Sequence, residues 1–134
     1  MTTDASWPLQ TAILNALRND GELVALLGGV EAIGRERRNG EEPSLFYGDC
    51  ATRAWHSATF DGQVHDIVIE VTCAAGGSAR AIASRIIGLL HDADLPIPGH
   101  ALIELEFVSS ETRSFERAGL EHSRLMFHGL TVSD

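Results

Sequence analysis

Six histidines, two cysteines and a few paired acids are the residues with which this chain could do chemistry, and their spacing decides how much. His56, His65, His91, His100, His122 and His128 form no His-x-x-x-His or His-Glu-x-x-His pattern, and Cys50 and Cys73 form no Cys-x-x-Cys. His65 and Asp66 are adjacent, so in a strand they point to opposite faces and do not readily share one ion. Scattered core or surface histidines are the better reading, and no metal is expected. Cys73 falls on an apolar strand face with Ile69 and Val71, which raises a thiol pKa, and Cys50 beside Asp49 lacks positive surroundings. No Gly-x-Ser-x-Gly elbow occurs. Glu104 and Glu106 could form an acid–base carboxylate pair, yet alternating glutamates are ordinarily the wet side of a sheet. Gly76-Gly77-Ser78 could offer amides to a phosphate, but it has neither a P-loop lysine nor dinucleotide spacing. No catalytic residue and no cofactor is assigned. What remains is recognition. Arg53, Trp55 and His56 combine an aromatic with arginine, as protein interfaces do, although a loop folded onto its own core explains them equally well.

The elements that would position these residues read as one domain over 1–134. No repeat, low-complexity tract or Pro/Ser linker divides it. Residues 6–19 form an apolar stripe of Leu9, Ile13, Ala16 and Leu17, with Ser6 as cap and Pro8 in the first turn. A second short helix follows, capped by Asp20 and ended by Gly28-Gly29. The stretch 35–43 is a charged loop by composition, and 44–48 reads as a strand. Residues 50–62 show no clean period, as in an exposed hairpin or long loop. Along 63–74, His65, Ile67, Ile69, Val71 and Cys73 alternate with Asp66, Val68, Glu70 and Thr72, which is a strand. Ser78 can cap a helix running from 79 to about 92, and Pro96 and Pro98 then enforce an extended connection. Residues 101–110 read as a strand with Ile103, Leu105 and Phe107 on one face, 111–117 as a charged segment, and Ala118-Gly119 as a turn. The last strand, 122–132, is apolar on both faces, so it is either central in its sheet or covered by a partner. The expectation is an α+β fold: an antiparallel or mixed β-sheet with helices packed mainly on one face.

Composition sets limits on partners. The 134 residues carry 19 acids against 10 bases, a formal net charge of −9, and every base is an arginine. Tight duplex binding works by neutralising phosphates with cations, so it is not expected here. No apolar run approaches the ~18 residues of a membrane span, and no signal peptide or disulfide framework is read. The cysteines are expected as reduced thiols.

The order of features resembles a known family. Leu9-Gln10-Thr11-Ala12-Ile13-Leu14-Asn15-Ala16-Leu17 and Leu23-Val24-Ala25-Leu26-Leu27-Gly28 look like the opening of tail-completion or tail-terminator proteins of long-tailed phages and phage-derived gene transfer agents. The likeness continues through Pro43 to Gly48, the strand around His65 to Val71, the helix from Ala81 to Leu90, and Phe115 to His122 leading into the last strand. The Arg/Glu-rich stretch 35–42 departs from it, since a shorter turn with Asp and Pro would be typical. The resemblance implies a self-associating ring, usually a hexamer, at the neck of a phage or phage-like particle assembled in the bacterial cytoplasm. Such a ring seats on the tail tube protein, stops its polymerisation and meets a head-completion or connector protein. It implies no cofactor and no enzymatic activity, and DNA passes the lumen without specific binding. In that setting Arg53, Trp55 and His56 are expected in one axial contact, and Arg113, Glu116 and Arg117 in intersubunit or axial pairing. Two other readings stay open: a head–tail adaptor or head-completion protein, and a small α+β ligand-binding domain or enzyme with a pocket near His65 and Cys73.

Overall fold

The computed structural model describes residues 4–36, 43–74, 76, 78–115 and 118–133. In chain order these form α1 (Ser6–Arg18), α2 (Gly21–Leu27), a 3-10 turn (Val30–Ala32), β1 (Ile33–Gly34), β2 (Ser44–Tyr47), β3 (Ala51–His56), β4 (Asp61–Ala74), α3 (Ser78–Leu90), β5 (His100–Phe115) and β6 (Leu120–Ser133). The strands make one sheet in the order β1-β2-β4-β6-β5, with β3 pairing the other part of the β4 edge that β2 uses. All pairs are antiparallel except β1 with β2. The fold is α+β, as expected.

The helices cover one sheet face because their apolar stripes and the odd positions of β4 close on each other. Leu9, Ile13, Leu14 and Leu17 of α1 and Ile82 and Ile86 of α3 bury against Ile67, Ile69, Val71, Leu125 and Phe127. Each such side chain contributes on the order of 1.5–3 kcal/mol when fully withdrawn from water. Phe107 meets Phe127 edge-on, ring centroids 5.7 Å apart, and extends the core to β5.

The helix ends refine the sequence expectations. Asp20 does cap α2, accepting the Leu23 N–H at 2.9 Å, and Gly28 closes it with φ +80°, a left-handed conformation glycine adopts without strain. Ser6 is not the cap of α1: it is already helical, and Asp4 Oδ1, two residues earlier, accepts its N–H at 2.8 Å and so satisfies one of the free donors at the helix start. Ser78 is likewise the first residue of α3 instead of its cap. That helix stops at Leu90, two residues early, where Asp92 turns left-handed (φ +59°).

The charged segment from 111 onward is strand as far as Phe115, since β5 runs there and pairs with β6 throughout. Residues 51–56, without period in the sequence, form the exposed hairpin, one of the two expected forms, pairing with the start of β4. The two-faced apolar β6 lies between β4 and β5, which is the central placement expected as one of two explanations for it. Ile103, expected to face the core with Leu105 and Phe107, sits at a register shift between Leu102 and Glu104 and is exposed. Most of the charged stretch 35–42 lies outside the described residues. Its first residue, Arg35, is not a free loop charge: its guanidinium stacks 4.0 Å over Trp7 and donates to Thr11 Oγ1 at 2.6 Å. No helix among the described residues is long and apolar enough to cross a membrane.

Candidate functional site

The sheet face turned away from the helices carries a run of paired charges among the described residues. The register puts Asp66 opposite His128 and Glu70 opposite Arg124 on β4 and β6, with Glu106 and Glu111 next on β5. Arg53 on β3 joins this face, donating from Nη1 to Asp66 Oδ2 at 2.7 Å, and that bond holds the Asp66 carboxyl below its usual range. His122 Nε2 lies 3.1 Å from Glu70 Oε1, and His128 Nδ1 3.7 Å from Asp66 Oδ1. These pairs went unassigned in the sequence, although the alternation of Asp66 and Glu70 along β4 was the signal for them.

The six residues singled out as interface candidates are not one cluster. Arg53 and Trp55 alternate with His56 along β3, so the first two share the open face and His56 points to the other. His56 Nδ1 sits 3.3 Å from Asp61 Oδ1, its partner across the hairpin. Trp55 is 42% exposed and its ring packs 4.8 Å from that of Phe60, so the hairpin end presents an aromatic pair. All six residues of β3 are exposed, which excludes the alternative that this segment is tucked onto its own core. Arg113 lies at the opposite corner of the sheet, bound twice to Glu111 Oε1 at 2.6 and 2.8 Å. Along the shared β4 register, Arg53 stands level with Val64 and Arg113 with Thr72, a separation of about 26 Å at ~3.3 Å per residue. Glu116 and Arg117 lie outside the described residues.

The groups weighed for catalysis fall into structural roles. His65 is 2% exposed and bridges two hydroxyls, Nδ1 to Thr52 Oγ1 and Nε2 to Thr131 Oγ1, both at 2.9 Å. Burial lowers its pKa, so the ring is neutral at pH 7 and lines no open pocket. Cys73 is buried and Cys50 exposed, and desolvation by the surrounding protein pushes both thiols upward. Glu104 has its pKa raised because it shares a hydrogen bond with Glu106, yet neither side chain is enclosed. Among the described residues no group of three or more His, Cys, Asp or Glu side chains could hold a metal ion. Tyr47 Oη and Arg35 Nε are buried without a hydrogen-bond partner among the described residues. A concavity of about 730 Å³ lies between α1 and the 96–99 connection, with Trp7, Ala12, Pro96 and Pro98 along it.

A surface of paired charges and exposed aromatics, with no enclosed reactive cluster, is what an assembly protein presents. The family model of tail completion protein gp17 matches residues 11–131. The chain belongs to this family. This tail-completion protein is also similar to a solved chain titled as part of the virion of a native gene transfer agent particle. The two share 28% identity and a TM-score of 0.85, over 98% of this chain and all of that one. No curated protein sequence matches it. Membership in the family gives the chain a structural tail-completion role. The near-complete mutual coverage means that the likeness takes in the strands as well as the helices.

Proposed function

We propose that this tail-completion protein is a tail terminator: a subunit of a closed ring, six-fold in the usual case, that caps the tail tube at the neck of a phage-like particle. The ring stops tube polymerisation on one axial side and offers a docking surface to a head-completion or connector protein on the other. In this reading Arg53, Trp55 and His56 belong to one axial contact, with His56 on the opposite face of β3 from the other two, and Arg113, Glu116 and Arg117 to an intersubunit or axial pairing. The observation that supports this reading is the end-to-end likeness to a chain of a gene transfer agent virion, at 28% identity over 98% of this chain and all of that one. The absence of lysine and the charge of −9 agree with a lumen that lets DNA pass without holding it. Assembly takes place in the bacterial cytoplasm before or during head joining.

Cryo-electron imaging of intact particles, with this chain located in the density, tests the proposal. A closed ring between tube and head establishes it and assigns both axial faces. Location at the portal or within the head places the chain among head-completion or adaptor proteins instead, and absence from any tailed particle ends the reading.

A further inference from the structure

The sheet ends in two open strand edges that fit each other. On one side β3 pairs with β4 alone among the described residues, so the outward edge of Ala51–His56 offers unpaired backbone groups. On the other side β5 is the last strand, and its two halves differ. The first half is covered by the connection after α3: Asp92 N–H donates to Leu105 O at 2.8 Å, and Phe107 N–H to His91 Nδ1 at 3.1 Å. Past the register shift at Phe107/Ser109, residues 109–115 have no such cover in the described structure. An uncovered edge is a template for another strand.

We propose that, in the ring inferred above, the β3 edge of one copy pairs with the uncovered 109–115 edge of the next, so that the sheets of neighbouring subunits run into one another. Direction agrees: β3 is antiparallel to β4, β4 to β6 and β6 to β5, so β3 and β5 run oppositely. Rotation about a ring axis preserves that relation, and the junction is antiparallel like the rest of the sheet. Charge chooses the register. Arg53 and Trp55 share the open face with Ser109, Glu111 and Arg113, so a face-preserving pairing that keeps Ala51 to Trp55 within 109–115 sets Arg53 opposite either Glu111 or Arg113. The first extends the Asp66–Arg53 pair to Glu111 and its partner Arg113, alternating in sign. The second opposes two cations, which destabilises a cross-strand pair. Arg53 opposite Glu111 also sets Trp55 opposite Ser109.

Closure follows from the diagonal placement of the two edges. Arg53 stands level with Val64 of β4 and Glu111 with Glu70, so each junction shifts the strands by about 20 Å along their axis. Four strand spacings per copy advance about 19 Å sideways. The next copy stays at the same height when strands tilt by roughly 45° to the ring axis, close to the tilt closed barrels adopt. A heterologous contact with no axial rise closes instead of growing into a filament.

The test is disulfide trapping in assembled particles. Arg53→Cys and Glu111→Cys are introduced together with Cys50→Ser, which removes the exposed native thiol. Within one copy these positions are about 24 Å apart, far outside disulfide reach, so any bond joins neighbours. Oxidation is expected to give a reducible ladder of covalent oligomers ending at the ring number. It should exceed by at least tenfold the yield from Arg53→Cys with Arg113→Cys, the rejected register. Trp55→Cys with Ser109→Cys tests the same register if the first pair fails to fold. Imaging of the same particles separates the two levels of inference. A ring with no ladder from either pair overturns edge pairing and leaves the ring intact. A stronger ladder from the rejected pair overturns the register. No ring and no ladder overturns both.

Discussion

His65 and Asp20 show how single titratable residues hold this fold. His65 spans the sheet interior between Thr52 and Thr131, and burial lowers its pKa from 6.5. A depressed histidine pKa means that the unfolded chain binds the extra proton more readily. The stabilisation is therefore complete above pH 6.5 and is lost as pH falls from there through the folded-state value. His65→Leu leaves the buried Thr131 hydroxyl unpaired, and urea titration should show a loss of about 1–3 kcal/mol at pH 7.5. The same variant should lose less stability than the parent between pH 6.5 and 5, because the protonation cost is gone. An unchanged pH slope would exclude His65 as its source. Asp20 receives a forked pair from Arg85, Nε at 2.8 Å and Nη2 at 2.6 Å, and also accepts the Leu23 N–H, which together hold its carboxyl at about 2. This is the opposite sign case for an acid: the stabilisation is present above pH 3.8 and lost as pH falls through about 2. Asp20→Asn keeps a capping oxygen without the charge. It should lower the melting temperature at pH 7, and that deficit should shrink between pH 4 and 2 as the parent loses the same pair.

At the scale of elements, the β3–β4 hairpin depends on one glycine. A Cβ on Gly62 would stand 2.5 Å from the Trp55 carbonyl oxygen and 2.8 Å from its ring carbon Cε3, so the Trp55 side chain occupies space that only glycine leaves. Gly62→Ala should cost about 1–3 kcal/mol and make β3 amides exchange faster than those of the β4–β6 ladder, since the backbone itself must shift. Equal protection in both strands would show that β3 tolerates the methyl. The same hairpin explains what was legible beforehand. Hydrophobic periodicity reports burial, so α1, α3, β4 and β6 could be read from their stripes, while β3, exposed at all six positions, left no period to read. The outer end of β5 was missed for the same reason: 111–115 is a largely polar stretch whose extended form comes from pairing with β6, not from burial of its own side chains. Arg53, Trp55 and Arg113 were found as residue types that interfaces use. Their separation to opposite corners of the sheet was invisible, because it follows from register and strand order.

The whole molecule carries a formal charge of −9, and assembly must bring such bodies together. Neighbours of this size have centres roughly 35 Å apart in a ring. Treated as point charges in water, each neighbouring pair then repels by about 10 kcal/mol without screening. With a Debye length of about 30 Å at 0.01 M salt, about 3 kcal/mol remains. With about 8 Å at 0.15 M, only ~0.1 kcal/mol does. A solvated contact pair such as Arg53 with Glu111 contributes at most about 1 kcal/mol, and salt weakens it by a fraction of that. Long-range repulsion is thus the larger quantity, and it is the one salt removes. Self-association of the purified chain, followed by sedimentation or native mass measurement, should strengthen as salt rises from 0.01 to 0.15 M. Duplex DNA retention should stay negligible across the same range, since few counterions are there to be released. Association that weakens steeply over this range would mean that attraction between opposite charges, instead of edge pairing and apolar contact, holds the subunits together.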